Sequence, residues 1–184
     1  MAFTDAVLAI IMTILVLDLQ TPEELNWSGF AGMWPQYAAY ALSFFWLGSM
    51  WINLHIEWEH ARHVSVPVLW WTIIMLFFAS FAPYTTGMVA DHFFNAAVQC
   101  IYGIVVMLVS LSNLMLSRCL HTANLDADGS AGLASEGHRG ALWVDMGIKV
   151  IGFVLAATVW PPAMMISVIV AGVLVSVSMQ LRRD

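Results

Sequence analysis

The chain has 184 residues, 61% of them hydrophobic and 10% charged, with a formal net charge of −6. Soluble domains carry about 25% charged residues, so a water-wetted globular fold is excluded. The basic residues, Arg62, Arg118, Arg139, Lys149, Arg182 and Arg183, form no stripe along the sequence, and nucleic acid is excluded as a partner.

The apolar residues come in blocks at 3–19, 35–56, 66–85, 95–116, 141–160 and 164–181. Each is close to the roughly 20 residues that cross a hydrocarbon core of about 30 Å. Lipid offers no partner to an open backbone, so each block is expected to be helical. The expectation is one all-α domain over residues 1–184, a polytopic protein of the lipid bilayer with six transmembrane helices.

The first block competes with a signal peptide, but it lacks a basic leading region. Asp18 and Gln20 also stand where a small-residue cleavage site belongs. Asp5 lies near its start and Asp18 at its end. An ionisable group in a span is a functional candidate, while a carboxylate at a helix start also reads as a solvated group favoured by the helix dipole. Ile10, Thr13, Ile14 and Leu17 recur at i, i+3, i+4 and i+7 and so share one helical face. Spacing alone reads that stripe as packing or lipid contact.

The second block ends Trp51-Ile52-Asn53-Leu54-His55, followed by Glu57, Glu59, His60 and His63. Glu59, His60 and His63 form the nearest thing to a metal cluster, but adjacent His and Glu at a membrane edge are ordinarily solvated. No metal and no cofactor are expected. Cys100 and Cys119, in or at the end of the fourth block, make neither a CxxC pair nor a disulfide framework and read as small apolar side chains. Residues 121–140, rich in Gly, Ser, Ala and Asp, read as a flexible connector. A calcium loop there is excluded, because Ala131 replaces the required Gly and Gly137 the required Glu. In the fifth block Asp145 and Lys149 are four apart, as a local ion pair requires; a place in a permeation path is the alternative.

Orientation follows from the cations. Arg62 falls between blocks two and three, Arg118 and Arg139 between four and five, and Arg182 and Arg183 after six. The other connectors hold Glu23 and Glu24, then Asp91, then Pro161 and Pro162, with no Lys or Arg. The positive-inside rule puts the first group, and both termini, on the cytoplasmic side of a plasma-membrane protein. Trp34, Trp58, Trp70, Trp143 and Trp160 stand near span ends, where interfacial anchors are expected.

The opening Phe3-Thr4-Asp5-Ala6-Val7-Leu8-Ala9-Ile10-Ile11-Met12-Thr13-Ile14 resembles the first-helix signature of the endolysosomal potassium channel family (transmembrane protein 175), in its bacterial branch. That signature is Phe-Ser-Asp, a small residue, and an aliphatic run with an Ile and a Thr. Trp51-Ile52-Asn53-Leu54-His55 resembles the family's Trp-x-Asn-His-His, with Leu54 where the first His often stands. Thr4 keeps the hydroxyl of the usual Ser. The family's Arg four residues before the Phe has no counterpart from Met1 onward.

The resemblance implies a homotetramer with the first helix of each subunit around a central pore and no carbonyl-lined filter. Potassium would be the permeant ion. Ile10, Ile14 and Leu17 would form apolar rings, with Thr13 adding a ring of hydroxyls. Phe3, Thr4 and Asp5 would hold the first helix against its neighbours, with Trp51, Asn53 and His55 as the span-two motif and His55 as a partner for Asp5. The function expected is a potassium-permeable leak channel without enzymatic chemistry. The alternative is a proton-coupled secondary transporter, with Asp145, Lys149 and His55 as a relay, although no inverted repeat or broken helix is evident in the sequence.

Overall fold

The computed structural model describes the backbone of residues 2–59, 61, 63–128 and 132–180, with side chains up to 124 and from 140 to 175. Every regular element among them is helical. α1 (Ala2–Ile14) tightens into a 3₁₀ turn (Leu15–Asp18). There follow a short α2 (Trp27–Gly32), α3 (Trp34–Glu59), α4 (Val66–Ala79), α5 (Ala82–Asp91), α6 (Ala96–Asp128), α7 (Gly132–Thr158) and α8 (Ala163–Gln180). Among the described residues three runs are long and apolar enough to cross a membrane: Val66–Asp91, Ala96–Asn124 and Gly140–Thr158. Ala163–Val175 is a shorter apolar helix.

Three local features depart from the sequence expectation. The third block is not one continuous helix. α4 stops at Ala79 and α5 starts at Ala82 with Pro83 in its first turn, because proline has no N–H to give the carbonyl four residues earlier and its ring crowds that position. Residues 121–140 are not a loop throughout: α6 runs on to Asp128 and α7 begins at Gly132. Once a long helix is nucleated, each added residue gains a backbone hydrogen bond for little further ordering. The first connector contains α2, whose start is capped by the Asn26 side chain accepting from the Gly29 N–H at 2.7 Å.

α7 packs between α6 and α8, α6 also packs on α4 and α5, and α3 packs on α5 and α8. α1 lies on the outside of this bundle against α3, α4 and α5. In lipid the hydrophobic effect does not drive helices together, so close packing and interhelical hydrogen bonds do. At Gly103 on α6 a Cβ would come within 2.9 Å of Met164 Sδ and the Phe153 ring. At Gly152 on α7 it would collide with the Ser167 side chain of α8. Both glycines are therefore what allows α6, α7 and α8 to approach. α3, α5 and α6 are also joined by a buried hydroxyl chain, Thr86 Oγ1 donating to Ser43 Oγ at 2.8 Å and Ser43 meeting the Tyr102 hydroxyl at 3.3 Å. Such bonds contribute about 0.6 kcal/mol each on average.

Candidate pore helix and its supports

α1 has two faces. Thr4, Leu8, Ile11 and Leu15, spaced four, three and four apart, are buried against the bundle. Ile10, Thr13, Ile14 and Leu17 are exposed, Ile10 at 58% and Leu17 at 77%. The stripe singled out by its spacing thus lies on the face that the single chain leaves uncovered, with Phe3 at its other end. The 3₁₀ turn affects its register. Side chains three apart eclipse in that geometry, so Leu17 is drawn more nearly over Ile14 than an α-helix would place it.

The Thr13 hydroxyl donates to the Ile10 carbonyl at 2.9 Å. Its proton is committed to the backbone, and its oxygen lone pairs remain available on the exposed face as acceptors. Just beyond the stripe, the chain is tied to the bundle by Gln20. Its amide donates to Asp91 Oδ1 at 3.2 Å, and its backbone N–H donates to Gln36 Oε1 at 3.3 Å.

At the other end, Trp51 Nε1 of α3 donates to Asp5 Oδ1 at 2.8 Å. The resemblance implies His55 as a partner for Asp5; within the subunit, Trp51 is the residue that donates to that carboxylate. His55 instead lies beside the Trp51 ring, with centroids 5.4 Å apart, and its Nε2 is 3.5 Å from Glu59 Oε1. Trp51 and His55 are one helical turn apart, so both reach the α1 side of α3, and only the longer indole reaches the carboxylate. Thr4 is buried within the chain and Phe3 projects from it. Asn53 does not join this cluster: it is buried on another face of α3.

The pair suggested by spacing on α7 is present. Lys149 Nζ donates to Asp145 Oδ2 at 2.7 Å and to Ser110 Oγ of α6 at 2.7 Å, and lies over the Trp46 ring at 5.8 Å. Both residues are buried. Sequence spacing identified the ion pair but not Ser110 or Trp46, which come from other helices and leave no local signal. Among the described residues no three His, Cys, Asp or Glu side chains converge as a metal site; His60 of the cluster weighed above lies outside them.

Trp34, Trp70, Trp143 and Trp160 are exposed as anchors would be, whereas Trp58 packs against the core with its Nε1 buried. Arg118 lies over Trp143 at 5.3 Å. Arg62, Arg182 and Arg183, on which much of the topological reading rests, lie outside the described residues.

Residues 1–83 match the model of a family described as "Endosomal/lysosomal potassium channel TMEM175". A Chryseobacterium protein named as a potassium channel is 32% identical over 119 residues, which are 65% of this chain and 62% of the relative. A Streptomyces collinus protein, also named as a potassium channel, is 29% identical over 60% of this chain and 58% of its own length. The match therefore spans less than two thirds of each of these relatives. The crystal structure of a lysosomal potassium-selective channel TMEM175 homologue from Chamaesiphon minutus shares the fold, with a TM-score of 0.71 at 20% identity over 96% of this chain and 95% of that one. The resemblance to the bacterial branch of the TMEM175 family is borne out, and these relatives are named as channels, not as enzymes.

Proposed function

We propose that this chain, a relative of the bacterial TMEM175 channels, acts as a potassium-permeable leak channel with α1 of each subunit lining a shared axis. One observation carries the reading. α1 buries Leu8, Ile11 and Leu15 in its own subunit and turns Ile10, Thr13, Ile14 and Leu17 outward. A lone six-span subunit with an aliphatic outer stripe has no polar lumen, whereas a homotetramer encloses one on its axis.

In that assembly Ile10, Ile14 and Leu17 form narrow apolar rings. Such rings block ions by excluding water, and a slight widening admits a hydrated column. The barrier is desolvation, so the more weakly hydrated potassium passes more easily than sodium. The sequence has no TVGYG-like segment and hence no carbonyl filter of that kind. The Thr13 oxygens are the acceptors nearest the constriction. The subunit has six spans in the plasma membrane with both termini in the cytoplasm, as the one-sided Lys and Arg of its connectors indicate.

The carrier reading finds one structural feature in its favour, the break between α4 and α5, since broken helices build many carrier sites. The polar groups at that break are already occupied: Ser80 Oγ donates to the Phe77 carbonyl and Thr85 Oγ1 to that of Phe81. Asp145 and Lys149 satisfy each other, which leaves no free buried carboxylate among the described side chains of α7 for a proton.

Purified protein in liposomes separates the two. Potassium flux through a channel follows the electrochemical gradient whether or not a proton gradient is present. Flux that vanishes when the proton gradient is collapsed makes the protein a carrier.

A further inference from the structure

Behind α3, on the side away from Trp51, α3, α6, α7 and α8 line a partly open void of about 30 Å³. Its wall mixes apolar side chains, among them Met50 and Leu142, with polar ones, inside a protein wetted by lipid. Asn53 and Asn113 line it, each only 7% exposed, and the Oδ1 atoms of both are fully buried without a hydrogen-bond partner in the protein. The Asp145–Lys149 pair and Ser110 form another side. Ser49 lines it too, its hydroxyl donating to the Trp46 carbonyl at 2.8 Å and keeping its lone pairs free. Gly172 keeps the wall open on the α8 side, where a Cβ would stand 3.3 Å from Ser49 Oγ.

A buried amide oxygen without a partner is destabilising, and the two residues that carry such oxygens line one void. We infer that the void is a resident hydration site holding one or two ordered waters. These donate to Asn53 Oδ1 and Asn113 Oδ1 and complete the solvation of the Asp145–Lys149 pair. The size fits, since a water needs roughly 10–15 Å³ of such space and two to four polar partners. The charges fit as well. Lys149 repels a metal cation and Asp145 repels an anion, whereas water both donates to the amide and carboxylate oxygens and accepts from the ammonium.

The site joins four helices through solvent, on the opposite side of α3 from the Trp51–Asp5 bond. The water is structural, not permeant. It lies inside one subunit, away from the exposed stripe of α1, so it stands whether or not α1 lines a pore.

Two measurements test it. The first is a structure of the wild-type protein at a resolution that shows ordered solvent. Density within hydrogen-bonding distance of both Asn53 Oδ1 and Asn113 Oδ1 is expected, and an empty void overturns the inference. The second exploits sign. Leucine is close to isosteric with asparagine, so Asn113→Leu in a dry void removes an unsatisfied group and raises the melting temperature. In a hydrated void it removes a water's acceptor, and the melting temperature falls by about 2–4 °C. A rise or no change in Asn113→Leu overturns the inference, as does the same outcome in Asn53→Leu.

Discussion

On α1 the side chains turned outward are aliphatic, and the one hydroxyl in the stripe, Thr13, has its proton committed to the Ile10 carbonyl. On α7 the charged pair Asp145 and Lys149 is turned inward and closed over by Ser110 and Trp46. A water-soluble protein would show the reverse. In a bilayer an uncovered apolar face is at home against lipid or against copies of itself, while a charge must find its partners within the subunit. The comparison separates two jobs. The interior of the subunit is where stability is lost when polarity is changed. On the proposed function, the exterior of α1 is where conduction would be gained.

The largest effect is expected on α7. Lys149→Met leaves Asp145 buried without its partner, and breaking a buried pair in this way costs about 3–5 kcal/mol. The variant should yield little monodisperse protein in detergent. Lys149→Met combined with Asp145→Leu removes both charges and should recover most of the melting temperature, because a buried pair gains little over a well-packed apolar replacement. If the double variant is no better than the single one, the pair has a role beyond mutual neutralisation. The division drawn between α7 and α1 then fails.

The next effect lies on α1. In the proposed tetramer, Ile10→Asn puts amides where a ring of aliphatic side chains would exclude water. Lowering the barrier by about 1.4 kcal/mol raises basal potassium flux about tenfold. The flux is measured in liposomes at matched protein content, with the oligomer peak checked beforehand. An intact oligomer with unchanged flux would mean that Ile10 faces lipid, and α1 would then be an ordinary peripheral helix.

How far this contrast was legible in the sequence differs between the two regions. The Ile10-Thr13-Ile14-Leu17 stripe and the Asp145–Lys149 pair are both visible as helical spacing, since i+3 and i+4 relations are local. What completes them is not local. Ser110 and Trp46 reach Lys149 from α6 and α3, and Trp51 reaches Asp5 from α3. Asn53 carries no signal that it turns away from α1, and only the packing of four helices reveals the void it faces. The break at 80–81 was within reach, since Pro83 announces it. The helical ends of α6 and α7 were masked by Gly, Ser and Asp composition that reads as loop. The exposed direction of α1 could not be read at all, since an aliphatic stripe looks alike whether it faces a core, lipid or an axis.

A smaller effect concerns how α1 is held. Trp51→Phe keeps the ring and removes the donor to Asp5, a loss of about 1 kcal/mol for one net hydrogen bond. Asp5→Ala removes the acceptor of the same bond. Each should lower the stability of the protein in detergent by a similar amount. The double variant should lose less than the sum of the two, because both delete one interaction. Full additivity would show that the Trp51–Asp5 bond contributes nothing to that stability.

The smallest effect, and the most specific, is expected at Thr13. If the aliphatic rings set the barrier and the hydroxyl oxygens offer partial solvation, removing those oxygens should change which ion passes more than how much current flows. Thr13 donates its proton to the Ile10 carbonyl, so in the proposed pore its lone pairs, not its proton, would face a passing ion. Thr13→Ala takes away that acceptor, and Thr13→Val takes it away while keeping the volume and β-branching. Both should reduce the potassium-to-sodium preference by about twofold, equivalent to roughly 0.4 kcal/mol, with total conductance nearly unchanged. Thr13→Ser keeps the oxygen and should keep the preference. Bi-ionic reversal potentials in reconstituted membranes measure this directly. A shift in Thr13→Ser as large as in Thr13→Val would assign the effect to ring width, and the hydroxyl would have no part in discrimination. An unshifted Thr13→Val alongside a conductive Ile10→Asn would place the constriction at the aliphatic rings and the discrimination elsewhere on α1.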